Sequence, residues 1–167
     1  MLGLSAVLVV VVVVIVVLWW ARRESPDDRL SEEWGFEAVT DEQAAATREF
    51  LAGDGAPLLD LADLADRLAA QVAEASGSDE GPRCADLVEQ WDRFYGGVGA
   101  EGIGNLLAEL PDPTLGRLWE AQASILAENM WLCGDPDLVV AADESLRQVA
   151  DLQEAVNLRL DDLEVRR

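Results

Sequence analysis

The chain contains no histidine and no lysine; its 12 basic residues are all arginine, set against 33 acids. Without histidine there is no His-containing catalytic triad, no HExxH zinc site and no H-x-E deaminase pattern. Without lysine there is no Walker A lysine, no Schiff-base lysine and no kinase strand lysine. The G-x-S-x-G nucleophile elbow is also missing. Cysteine is almost absent: Cys84 and Cys133 are the only two, and no C-x-x-C occurs. If the segment between their helices reverses the chain, they lie at opposite poles, too far apart for a disulfide; if it is only a connector, they can meet. A reducing compartment favours free thiols.

The formal net charge is −21. Nucleic-acid binding needs clustered Arg or Lys, so no nucleic-acid partner is expected. Anionic lipid headgroups are repelled by the same field. Lys, Asn, Ile, Phe and Tyr are scarce, as in a G+C-rich genome, but that bias raises Arg and leaves the acid excess unexplained. Adaptation to high intracellular salt accounts for both, because screening removes self-repulsion. An ordinary acidic protein from a G+C-rich genome is the alternative.

What is present in quantity is an uncharged run, MLGLSAVLVVVVVVIVVLWWA, over residues 1–21. At ~1.5 Å per residue it matches a hydrocarbon core of ~30 Å. In lipid, unpaired strand backbone is costly, so helix prevails despite the valines. Trp19 and Trp20 stand where an aromatic belt sits, and Arg22 and Arg23 follow at headgroup level. A cleaved signal peptide would need a basic start, a shorter apolar stretch and a small-x-small site, none of which is present. The expectation is a single-pass anchor with the lipid bilayer as partner. Arg22 and Arg23 on the C-terminal flank place the soluble domain in the cytoplasm.

Residues 22–39 read as a polar juxtamembrane tether ending in the apolar cluster Trp34, Phe36 and Val39. Thr40 and Gln43 have capping-box spacing, with Val39 and Ala44 as a hydrophobic staple, and that helix ends at Gly53. A second helix opens at Pro57, with an apolar seam through Leu58, Leu61, Ala65, Leu68, Val72 and Ala75. SGSDEGP, at 76–82, is a loop. A third helix is expected from about Pro82 to Tyr95, with Trp91, Phe94 and Tyr95 on one face. The glycine-rich stretch 96–104 reads as a break, followed by a short helix that ends at the Pro-Asp-Pro of 111–113. Thr114–Cys133 is a longer helix burying Leu115, Leu118, Trp119, Ile125 and Leu126, with Gly134 as its cap. Asp135 and Pro136 then restart the chain. In the last helix Ala142, Val149, Val156 and Leu163 recur every seventh residue, joined by Leu146, Leu152 and Leu160, while Arg159, Asp161 and Asp162 make its end polar.

Two constellations invite chemistry. Gly97–Gly102 matches G-x-G-x-x-G, but a dinucleotide site needs a preceding strand, and LVEQWDRFY has helical spacing. Glu101 would also oppose a phosphate, so a helix–helix connection is the simpler reading. Asp60, Asp63 and Asp66, or Asp135 with Asp137, suggest a cation, yet Ca²⁺ needs six to eight converging oxygens and Mg²⁺ a tight octahedron. Carboxylates three apart on one helix are more simply a solvated face. Trp91, Trp119 and Trp131 are core or interface anchors.

These features predict an all-α chain: a transmembrane helix over 1–21, a tether over 22–39, and an acidic bundle of about five or six helices over 40–167. The expected function is a membrane-anchored helical interaction or scaffold module with no catalytic signature and no cofactor. The protein partner, or a second copy, is expected at Val156, Leu160 and Leu163 on the last helix. The alternative is a membrane-tethered enzyme or cation-binding domain using a carboxylate cluster and a divalent metal.

Overall fold

The structure, a computed structural model of the chain, describes residues 26–75, 85–133 and 139–165. Every regular element among them is an α-helix: α1 (Pro26–Glu33), α2 (Asp41–Ala52), α3 (Ala56–Ala75), α4 (Ala85–Glu109), α5 (Pro113–Cys133) and α6 (Val139–Asp162). The chain divides between Trp34 and Gly35 into two units; α1 is the described part of the first, and α2–α6 belong to the second.

The all-α reading stands, but the single-pass topology is corrected. Among the described residues no helix is long and apolar enough to cross a membrane. Each of the four long helices carries charged side chains along its length; α5, for example, holds Arg117, Glu120 and Glu128, whose desolvation in lipid is costly. Residues 1–21, with Trp19 and Trp20, and the flanking Arg22 and Arg23 lie outside the described residues. The lipid partner and the cytoplasmic placement, both derived from that span, therefore find no support in the structure.

Within the second unit, α6 packs most extensively against α5 and α3, while α4 lies against both α3 and α5 and α2 rests on α3. The seams account for this arrangement. Leu58, Leu61, Leu68 and Val72 of α3 are buried, as are Leu146, Val149, Leu152, Val156, Leu160 and Leu163 of α6. Burial of each such side chain contributes about 1.5–3 kcal/mol of hydrophobic stabilisation. Leu115, Leu118, Trp119 and Leu126 of α5 complete the core, and Ile125 is only half-buried.

The helix ends follow local chemistry. Thr40 caps α2, its Oγ1 accepting from the Gln43 backbone N–H at 3.1 Å. The Gln43 side chain does not close the expected box; its Nε2 donates instead to Asp112 at 3.0 Å. At Gly53 the chain leaves α2, and Gly55 follows in a turn that no side chain fits: a Cβ there would overlap the Phe50 ring. Asp112 starts α5 as its N-cap, with Oδ1 accepting from Leu115 N–H at 2.6 Å and Pro113 as first helical residue. The helix α6 ends in a Schellman pattern, Val165 N–H to Leu160 C=O at 2.9 Å and Glu164 N–H to Asp161 C=O at 2.9 Å. Glu164 occupies the left-handed position there, with φ 54°.

Two expected boundaries differ. Residues 26–33 of the supposed tether form α1, which opens on a proline at its first position. The expected break in the glycine-rich stretch is present but narrow: the helical span Ala85–Glu109 is interrupted by a kink at Gly99 (φ 71°, ψ 166°), which separates two helical pieces. Residues 76–82, the Gly134 cap and the Asp135–Pro136 restart lie outside the described residues, as does Cys84; the side chains of Trp131 and Cys133 do as well.

Candidate functional site

The residues singled out by sequence are dispersed. Val156, Leu160 and Leu163, expected to meet a partner, are 0%, 2% and 0% exposed and form part of the bundle's own core. Gly97–Gly102 spans the kink at Gly99 and follows a helix rather than a strand, so the strand–loop–helix arrangement of a dinucleotide site is not formed. Of the three α3 carboxylates, Asp60 and Asp63 are exposed, whereas Asp66 is half-buried and turned to α6. No group of three or more His, Cys, Asp or Glu that could hold a metal ion occurs among the described residues, which overturns the carboxylate-metal alternative at Asp60, Asp63 and Asp66. Asp135 and Asp137 lie outside the described residues.

Two polar knots, neither foreseen from sequence, occupy the interior. In the first, Arg159 of α6 is 1% exposed and Asp112 is fully buried. Their pair is bidentate: Nε to Oδ1 at 3.2 Å and Nη2 to Oδ2 at 2.6 Å. Oδ1 also accepts from Leu115 N–H and Oδ2 from Gln43, so both carboxylate oxygens are doubly used. The remaining guanidinium nitrogen, Nη1, donates to the Glu37 carbonyl at 2.8 Å, and the Phe36 ring lies 5.4 Å from Cζ. This knot ties the end of α6, the start of α5, α2 and the extended segment 36–40 together.

The second knot is directional. The Asp66 carboxylate only accepts, so it orients the amides around it. Its Oδ1 takes bonds from Gln153 Nε2 at 3.0 Å and Asn157 Nδ2 at 2.9 Å. The Gln153 carbonyl is thereby turned to Gln122 Nε2, at 2.7 Å. Helices α3, α5 and α6 are joined through the buried Gln122 and Gln153. The charged groups of both knots are paired within the bundle, whereas Gln122 Oε1 of the second is buried without a hydrogen-bond partner.

The surface offers a different place. A groove of about 410 Å³ runs between α3 and α4. Pro57, Asp60, Leu64 and Arg67 form one wall, at helical spacing along α3; Gln90, Arg93, Phe94, Gly97 and Val98 form the other. Asp60 and Arg67 stand two turns apart, about 10 Å along the helix axis. Along the α3 wall, Asp60 precedes Leu64 and Arg67 follows it, with Asp63 beside Leu64. Arg67 donates from Nε to the Asp63 carbonyl at 3.2 Å, and Arg93 pairs with Glu89 at 3.0 Å.

An aromatic cluster borders this groove. Trp91 is buried and stacks on Tyr95 with centroids 5.3 Å apart, and Phe94 lies 5.8 Å from Trp91 at a tilt. Tyr95, 37% accessible, is the one exposed large hydrophobic side chain among the described residues. Where α4 reaches Gly97 the wall has no side chain at all, and a Cβ built there meets nothing within 4 Å. Two other hollows, of about 290 Å³ by Arg48 and Glu164 and about 410 Å³ by Leu107 and Arg117, lack an aromatic side chain.

No family model, curated protein or solved structure matches this chain.

Proposed function

We propose that the helical unit is a non-catalytic docking domain whose α3–α4 groove receives a basic, amphipathic segment of a partner polypeptide. The observation that supports this reading is the groove itself, which puts the apolar side chains Leu64, Phe94 and Val98 together with the exposed Asp60, while Arg67 stands two turns further along α3. An apolar side chain on the partner packs against Leu64, Phe94 and Val98, and its basic residues face the exposed Asp60. The arginines repel a cation placed beside them, which fixes register rather than adding affinity. A net charge of −21 steers a basic partner inward and opposes a second copy of the same chain. The docking surface is thus placed on α3 and α4, not on the buried seam of α6.

The test is backbone amide shift mapping with an amphipathic leucine–lysine peptide, its leucine–glutamate counterpart serving as control. The reading expects shifts concentrated at residues 57–67 and 90–98 with the lysine peptide alone. Shifts spread evenly over the acidic surface would sink it.

A further inference from the structure

We infer that the glycine-rich second half of α4 is a hinge built into the groove wall, a marginal helix that groove occupancy orders; this inference rests on the docking role proposed for the groove. Residues 96–104 contain Gly96, Gly97, Gly99, Gly102 and Gly104, yet the chain is helical on both sides of Gly99. Only Gly99 is required by its backbone, since φ 71° strains any other residue. At Gly102 an added Cβ would stand 3.0 Å from Val98 Cγ1. At Gly96, Gly97 and Gly104 it would meet nothing within 4 Å, so neither packing nor backbone geometry demands glycine there.

Each of those three positions lowers the local helix population about fivefold relative to alanine. A sequence that keeps helix-weakening residues where nothing excludes a methyl group maintains a segment close to its own opening transition. The flanks are firm by contrast: Trp91 before the break and Ile103 after it are each 5% exposed. Gly97 and Val98 lie between these anchors and line the groove, so opening at Gly99 moves that wall without unpacking the core. A segment seated against Phe94 and Val98 favours the helical state of the wall. By linkage, stabilising the helix in advance strengthens the seat.

The experiment compares the chain with its Gly96→Ala/Gly104→Ala variant; neither residue lines the α3–α4 groove. Amide hydrogen exchange over 96–104 should slow about fivefold around each alanine. Affinity for the leucine–lysine peptide should rise severalfold, while exchange in α5 and α6 stays unchanged. Slower exchange with unaltered affinity overturns the inference and leaves the docking role standing. Exchange over 96–104 already as slow as in α5 in the parent chain removes the hinge outright. If the peptide does not bind the parent chain, the docking role fails, and the inference falls with it while the exchange result stands alone.

Discussion

Arg159 shows how much one side chain can organise. Its three guanidinium nitrogens bond to Asp112 at the start of α5 and to Glu37 in the segment 36–40, with Asp162 at 3.7 Å, and it is as buried as the leucines beside it. A buried ion pair adds little over an apolar pair of similar volume, but breaking it is expensive because the other charge is left unpaired. Arg159→Ala should therefore cost about 3–5 kcal/mol in urea unfolding. Adding Asp112→Asn to Arg159→Met, which removes both charges and keeps the cap, should unfold later than Arg159→Ala. At Glu164 the expected sign is opposite. Its left-handed backbone disfavours a side chain, so Glu164→Gly should gain about 0.5–1 kcal/mol, read from the same unfolding curves.

Arg159 lies seven residues after Leu152 and three after Val156, on the stripe that the apolar periodicity picks out. Its position was thus legible; its burial was not, because a charged residue in a polar final turn reads as solvated until its partner is known. Asp112 was masked in the same way. Asp112–Pro113 has the pattern of an N-cap and first helical residue, yet a Pro-Asp-Pro run is equally a helix terminator. The partners Gln122 and Gln153 are neutral polar residues whose meeting depends on how α5 and α6 pack, which no local pattern records.

At the scale of elements, the strongest local signals held. Thr40 caps α2, Gly53 ends it, and the seams of α3 and α6 are buried as their spacing requires. The glycine-rich stretch does break the helix, but only at Gly99, and helix resumes at once toward the buried Ile103. Residues 26–33 were read as a tether because charge and one proline conceal a short helix. The groove was invisible for a related reason. Its walls come from separate helices, and Asp60 and Asp63 reveal their place only beside Phe94 and Arg93. The turn between α2 and α3 gives a direct check on packing. Gly55→Ala forces a methyl group into the Phe50 ring and should destabilise by about 1–3 kcal/mol, measured by thermal and urea melts.

For the whole molecule, charge is the dominant condition. With 33 acids against 12 arginines, mutual repulsion opposes the compact state, and salt relieves it. The melting temperature should rise as ionic strength goes from low to molar; a flat response would remove the salt-adaptation reading and leave codon bias with ordinary acidity. The same field bears on docking. It accelerates the approach of a basic segment, while the apolar side chains of the groove decide where that segment stops. Added salt should therefore slow association more than it speeds dissociation.

The most direct test is the affinity of the leucine–lysine peptide for Asp60→Asn compared with the parent chain. Asp60 is exposed, so the variant should melt within a few degrees of the parent. Losing one groove charge out of 33 acids barely alters the overall field, yet the docking account predicts binding weaker by about threefold to fivefold. An affinity unchanged by the substitution would mean that the peptide responds to the acidic surface as a whole, and would contradict a docking site between α3 and α4.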